Sequence, residues 1–256
     1  CEAAKGDAVM EFGLRRAQGP DAGIYGARAA VIGGCSSTSN VLAGKKFNIP
    51  VAGTHAHSWI MSFDNEYDAF MKYAELFPNN ATLLVDTYDT LNSGVPNAIR
   101  VFKELKEKGK MPKKYGIRLD SGDLAYLSKK ARTMLDEAGF PNATICASND
   151  LDEYLIESLK EQSAKINLWG VGTSLITSKD CPSFGGVYKL AAIKKGGVVI
   201  PKIKLSEDRV KITNPGDKQV FRFYDKETGK IKGDIIGFAN EKYHEDESTV
   251  MFDSID

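Results

Sequence analysis

The sequence has no excess of either charge: 34 Lys and Arg balance 34 Asp and Glu, for a formal net charge of zero. A protein that binds nucleic acid or an anionic membrane surface through bulk charge carries a basic excess, so neither partner is expected. Long apolar runs are missing as well. Stretches such as 82–85 and 198–200 fall far short of the roughly 20 residues that cross a bilayer. No secretory signal pattern is visible. Paired cysteines are also lacking. Cys1, Cys35, Cys146 and Cys181 stand far apart with no CxxC, which argues for reduced thiols and a cytoplasmic setting rather than a disulfide framework. There is no repeat of fixed short period and no low-complexity tract. The chain opens on Cys1 rather than Met, and its first residues read as a continuation, so a fragment of a longer protein is expected.

What is present is enough chain, 256 residues, for one large core or one domain with an appendage. The organising stretch is Pro50 to Phe63. Val51-Ala52 is apolar, Gly53-Thr54-His55-Ala56-His57-Ser58 is a polar turn, and Trp59, Ile60, Phe63, Tyr67, Phe70 and Met71 then recur at helical spacing. The pattern predicts strand (51–54), turn and helix, with Ser58 as N-cap and two histidines in the turn. Further strands are predicted over 8–12, 82–85, 115–119, 144–147 and 166–169. Helices are predicted over 22–32, 41–47, 96–108, 124–138 and 151–162. This alternation means βαβ units around a parallel sheet. After Ser183 it stops, and strands over 198–205, 219–224 and 231–237 read as antiparallel. The expected fold class is α/β: a partial, barrel-like (β/α) domain over 1–183, followed by a small antiparallel β region of a second domain over 184–256.

The polar clusters gather at the C-terminal ends of the predicted parallel strands, where α/β folds bind ligands. They include Arg15, His57, Asp86, Asp89, Arg118, Asp120, Asp123, Asn149, Asp150 and the turn 170–174. The opposite connections carry only punctuation and solvated charge. Residues 170–174 suit a phosphate cradle or a simple tight turn. Asp120 and Asp123 suit a hydrated Mg²⁺, ribose hydroxyls or helix capping. Arg118 lies inside a strand that is otherwise apolar and needs an anionic partner, either a ligand or a nearby aspartate.

Glu11-Phe12-Gly13-Leu14-Arg15-Arg16, Gly53 to Ser58, Arg118-Leu119-Asp120-Ser121-Gly122-Asp123, Gly170 to Ser174 and Gly185 to Leu190 occur in one order. Together they resemble the nicotinate phosphoribosyltransferase family, over about residues 8–190. The resemblance implies an enzyme that joins nicotinate to 5-phosphoribosyl 1-pyrophosphate, giving nicotinate mononucleotide and pyrophosphate in NAD salvage. ATP is a co-substrate with Mg²⁺, and its hydrolysis is coupled through a phosphohistidine. By the Ala-His-Ser match that residue is His57. Thr54 and Arg118 match positions that hold nicotinate, and Thr173 one that binds the phosphoribosyl donor. Arg15, Asp120 and Gly172 match contacts to ring, ribose or phosphate. No protein metal ligand is assigned. The family's partly irregular barrel sits beside a second domain, in a homodimer with the active site at the interface.

A nicotinamide-specific relative places an acid near Ser39, whereas the cluster 36–40 is neutral here, which favours nicotinate. Quinolinate phosphoribosyltransferase shares the barrel plan without this histidine motif. A non-catalytic phosphate-binding or oligomerisation module is the alternative of a different class.

Overall fold

The computed structural model describes residues 1–207 and 211–244. The chain divides into two compact units, Cys1–Phe184 and Gly185–Asp256.

In the first unit six strands form one sheet: β1 (Ala8–Glu11), β2 (Ser37–Thr38), β3 (Asn80–Leu84), β4 (Lys114–Leu119), β5 (Thr144–Ala147) and β6 (Leu168–Val171). Their spatial order is β2-β1-β6-β5-β4-β3, which is chain order run around a ring. Every neighbouring pair is parallel. The break in the ring lies between β2 and β3, and the histidine-bearing segment runs across it. On the β2 side Thr38 donates its N–H to Pro50 O and accepts the N–H of Ala52, both at 3.0 Å. On the β3 side the Leu84 N–H donates to His55 Nε2 at 3.1 Å. The strand predicted over 51–54 is thus reduced to one bridge at Val51, because beyond Ala52 a side chain replaces the backbone as partner.

The inner strands are apolar along their length, as parallel strands covered on both faces must be. Leu83, Leu84, Ile117, Leu119, Ile145, Ala147 and Trp169 are fully buried. The covering helices are α1 (Pro20–Ile32), α2 (Val41–Phe47), α3 (His57–Met61), α4 (Glu66–Leu76), α5 (Val95–Glu107), α6 (Leu124–Glu137), α7 (Glu153–Glu161) and α8 (Thr173–Ile176). Side chains of Asn40, Asn65, Asp123 and Asp152 cap α2, α4, α6 and α7. Each accepts a backbone N–H that the helix itself cannot satisfy. Asp123 is therefore occupied as a cap. Phe102 packs edge-on against Tyr115 and Phe140, with ring centres 5.2 and 5.7 Å away. Burying such a ring contributes roughly 2–3 kcal/mol.

Two local expectations are corrected. Ser58 is not a cap: α3 begins at His57, after an extended Ala56, and has no side-chain cap. The helical spacing over 59–71 spans two helices, because the chain leaves α3 at Ser62 and Asn65 starts α4.

A π-helical turn (Thr90–Gly94) follows β3 and feeds α5. A Cβ on Gly94 would sit 1.8 Å from Val85 O, a backbone atom that cannot move aside. Gly94→Ala is expected to lose about 3 kcal/mol or more of stability by overpacking. A urea titration checks this; an unchanged midpoint would mean that the turn yields.

In the second unit β7 (Ala192–Lys195) and β8 (Val198–Pro201) form a hairpin. Gly196 and Gly197 turn it with φ of 58° and 83°, the paired positive values a tight hairpin demands. The strand predicted over 198–205 stops at Pro201, which has no N–H for a ladder. β9 (Lys218–Tyr224) and β10 (Ile231–Phe238) pair antiparallel. Among the described residues no helix is long and apolar enough to cross a membrane.

Candidate active site

The strand-to-helix ends of β3, β4 and β5 and the start of α3 converge on one carboxylate. Asp120, just beyond β4, accepts from Arg118 Nη2 at 2.9 Å and from the Ser148 hydroxyl on the same oxygen, Oδ1. Its other oxygen, Oδ2, lies 3.5 Å from His57 Nε2. Burial works to raise this carboxyl. The Ser148 hydrogen bond, the Arg118 charge and hydrogen bond and the His57 charge outweigh it, so the pKa ends below the ordinary 3.8.

Arg118 projects from β4 with its side chain only 15% exposed. It donates from Nε to Ser148 Oγ at 2.8 Å and from Nη1 to Thr54 Oγ1 at 2.6 Å and His55 O at 3.2 Å. The guanidinium also lies 5.8 Å from the centre of the Phe12 ring. A guanidinium held on that many sides is a fixed charge, positioned before any ligand arrives.

The two histidines of the turn differ sharply. His55 is buried, its ring 4.5 Å from that of Tyr73, with Nε2 taken by the Leu84 N–H. Burial lowers its pKa to about 4, so it is neutral near pH 7. His57, the first residue of α3, is 39% exposed, and its Nδ1 lies 3.0 Å from Thr87 Oγ1.

The His55 shift has a testable consequence. An imidazole whose folded pKa lies below its unfolded value of 6.5 gives its full stability above that pH and loses it as pH falls toward 4. Between about pH 7.5 and 4.5 the folded state should lose about 2–3 kcal/mol from this group. Urea titrations at the two pH values check it; His55→Gln should remove that share of the pH dependence, and an unchanged dependence would sink the assignment.

The structure thus brings Thr54, His57, Arg118 and Asp120 together and adds Ser148 and Thr87, which the sequence did not single out. Both lie just beyond parallel strands, and counting every strand end as part of the site would have found them. Asp86 is added too. Its Oδ2 accepts the Asp120 N–H and the Ser121 hydroxyl, each at 2.7 Å, while its buried Oδ1 has no partner. Of the others predicted, Asp89 caps the π-helical turn after β3, Asn149 and Asp150 form a bend after β5, and Arg15, Gly172 and Thr173 gather around β1 and β6. Arg15 is exposed on the one-turn helix Leu14–Arg16, whose Arg16 donates from Nε to Thr173 Oγ1 at 3.2 Å. The turn expected over 170–174 is shorter than that, because Gly170 and Val171 belong to β6, and Gly172 alone precedes α8. Glu11, fully buried at the end of β1, accepts from the Thr38 hydroxyl at 2.5 Å and from the Gly13 N–H. It ties the Arg15 turn to the neutral cluster around Ser39.

Comparison with known proteins decides what this arrangement belongs to. The family model described as Nicotinate phosphoribosyltransferase (NAPRTase) family matches residues 8–221. The chain belongs to the nicotinate phosphoribosyltransferase family. It is 54% identical over 248 residues to nicotinate phosphoribosyltransferase of Bacillus subtilis, covering 96% of this chain and 50% of the relative. It is 40% identical to that of Dictyostelium discoideum, over 86% of this chain and 44% of the relative. Among solved structures, human nicotinic acid phosphoribosyltransferase superposes with a TM-score of 0.68 at 30% identity, covering 94% of this chain and 54% of that one. The chain spans about half the length of the curated relatives it matches. The parallel strands in ring order, with helices outside and small antiparallel sheets after them, are the architecture of this family.

Proposed function

We propose that this chain carries reacting residues of an enzyme that transfers the phosphoribosyl group of 5-phosphoribosyl 1-pyrophosphate to nicotinate, with ATP hydrolysis coupled through His57. The observation that carries it is the shared carboxylate: Asp120 joins a preset cation, Arg118, to an accessible imidazole. Arg118 and the Thr54 hydroxyl take the nicotinate carboxylate and aim the ring nitrogen at the anomeric carbon of the donor. There a C–N bond forms as the C–O bond to pyrophosphate breaks. Arg15, Arg16, Gly172 and Thr173 serve the phosphate end of the donor.

In the ATP half-reaction Asp120 holds the Nε2–H of His57, which leaves the Nδ1 lone pair beside Thr87 as nucleophile. The N–P bond forms at the γ-phosphate, ADP departs, and Asp120 meets the positive charge that develops on the ring.

Mg²⁺ has no ready-made cage: among the described residues no group of three or more His, Cys, Asp or Glu converges as metal ligands. The cation enters with the polyphosphate substrates. A homodimer with the site at its interface belongs to the same proposal, and sedimentation tests it.

The functional test measures nicotinate mononucleotide formed from nicotinate, donor, ATP and Mg²⁺. It is run on the 256-residue chain and on the same sequence extended to the length of its relatives. Product from the extended protein is expected, at a rate well above that of the chain alone. Turnover of nicotinamide in preference to nicotinate, or product from neither protein, overturns the proposal.

A further inference from the structure

Apart from the Asp120 centre, three of the four cysteines line one cavity of about 310 Å³. Val9, Val171, Ile156 and Leu175 form its apolar wall, and Cys1, Cys35 and Cys181 complete it. Two of these thiols are close, with Cys1 Sγ 3.9 Å from Cys35 Sγ. All four cysteines are free. The backbone holds the pair in place. Cys1 precedes the one-turn helix Glu2–Ala4, whose Ala4 N–H donates to Cys1 O at 3.1 Å. Cys35 leads into β2, and its N–H donates to Ala30 O at 2.9 Å. Between them lies Gly34, with φ of 107°; a Cβ there would stand 3.4 Å from both Cβ and Sγ of Cys1. A side chain there would touch Cys1, and the positive φ favours glycine.

We propose that Cys1 and Cys35 form an oxidisable dithiol, a modification site at which a hydroperoxide installs a reversible disulfide. Cys1 is exposed and Cys35 is 5% exposed, so the oxidant meets Cys1 first. The Cys1 thiolate attacks one peroxide oxygen. The O–O bond breaks, one oxygen stays on sulfur as the sulfenic acid, and the other leaves as water. Cys35 sulfur then attacks the sulfenyl sulfur, the S–O bond breaks, the S–S bond forms, and a second water departs. Two thiols and one hydrogen peroxide thus become one disulfide and two waters. Burial pushes the Cys35 thiol up from its ordinary value, which leaves the first attack on peroxide to Cys1. The product ties the Glu2–Ala4 turn to the entry of β2 and fixes one wall of the cavity.

The test treats the folded 256-residue chain with hydrogen peroxide at low protein concentration and counts thiols over time. Trypsin then separates the cysteines, because Cys1 falls in peptide 1–5, Cys35 in 29–45 and Cys181 in 180–189. The expected result is loss of two of the four thiols, a 1–5/29–45 disulfide within one chain, and recovery of both thiols with dithiothreitol. Cys146, whose thiol burial pushes up to about 12, stays reduced and reports that the fold is intact. Cys35→Ser should convert the product to over-oxidised Cys1 or a mixed disulfide. A link from Cys1 to Cys181, a link between chains, or sulfinic acid at Cys1 with Cys35 still reduced overturns the proposal. Each of these outcomes is read on the unsubstituted chain, so a folding defect in Cys35→Ser cannot obscure them.

Discussion

His57→Ala protein incubated with γ-labelled ATP and Mg²⁺ takes up no acid-labile, base-stable label, and its ATP hydrolysis falls on the order of 10⁴-fold, as expected when a nucleophile is removed. The geometry favours this histidine, rather than its neighbour two residues earlier, as the proposed acceptor. His55 cannot serve without breaking the fold: its Nε2 holds the Leu84 amide and its ring is packed against Tyr73. His57 is accessible, and its two ring nitrogens face different partners, Thr87 and Asp120. A carboxylate on one nitrogen fixes the tautomer and presents the other lone pair. Two controls separate chemistry from structure. His55→Gln keeps an acceptor for Leu84 and should still be labelled at His57. Asp120→Asn keeps the shape but loses the charge, and should label slowly. Mass spectrometry that finds phosphate on His55, or label retained in His57→Ala, overturns the assignment.

Arg118→Ala weakens nicotinate far more than the phosphoribosyl donor, by about 2–5 kcal/mol in transition-state binding, which is roughly thirty- to several-thousand-fold in kcat/KM. The expected loss has two sources. On the proposed reading the nicotinate carboxylate loses a preset cation, and Asp120 loses a partner on Oδ1 that helps to hold its carboxyl low. The second source also acts on folding. A depressed carboxyl contributes stability above its unfolded value and loses it as pH falls through the folded one. The variant should therefore be less stable at neutral pH and lose less on acidification than the parent. Arg118→Lys restores a charge but not the fork that reaches Ser148, Thr54, His55 and Asp120 together, so it should recover little. Equal loss for both substrates would make Arg118 a structural residue.

Arg118 and Asp120 stood out in the sequence because a charged residue in an apolar strand, beside polar strand ends, leaves few alternatives in a parallel fold, whereas Thr54 came only from the family resemblance. Other features depended on contacts that no local pattern records. The break between α3 and α4 was hidden because Trp59, Ile60, Phe63 and Tyr67 keep helical spacing through it. The Trp59 indole N–H, donating to Ala69 O at 3.0 Å, ties the two helices across the bend. Gly170 looked like part of a turn but lies in β6, where its missing side chain makes room for Phe12: a Cβ there would sit 2.7 Å from that ring. His55 and His57 were separated only by family resemblance, since residue spacing cannot say which ring meets an amide on β3. Ser148 and Thr87 went unnoticed because a lone hydroxyl after a strand carries no signal until its partners are in place.

Strand β1 has one neighbour close to it in the chain and another far away, since Ala8 pairs with Leu168, about 160 residues later. A ribosome adding about 5–20 residues per second delivers the second neighbour on the order of ten seconds after the first strand. Throughout that interval the edge of Val9 to Glu11 stands open, a template for any other strand. Synthesis speed and the integrity of β6 therefore set how long this newborn chain stays sticky. Variants that weaken β6 should first show themselves as poor soluble yield during expression, before any assay of the finished protein detects them.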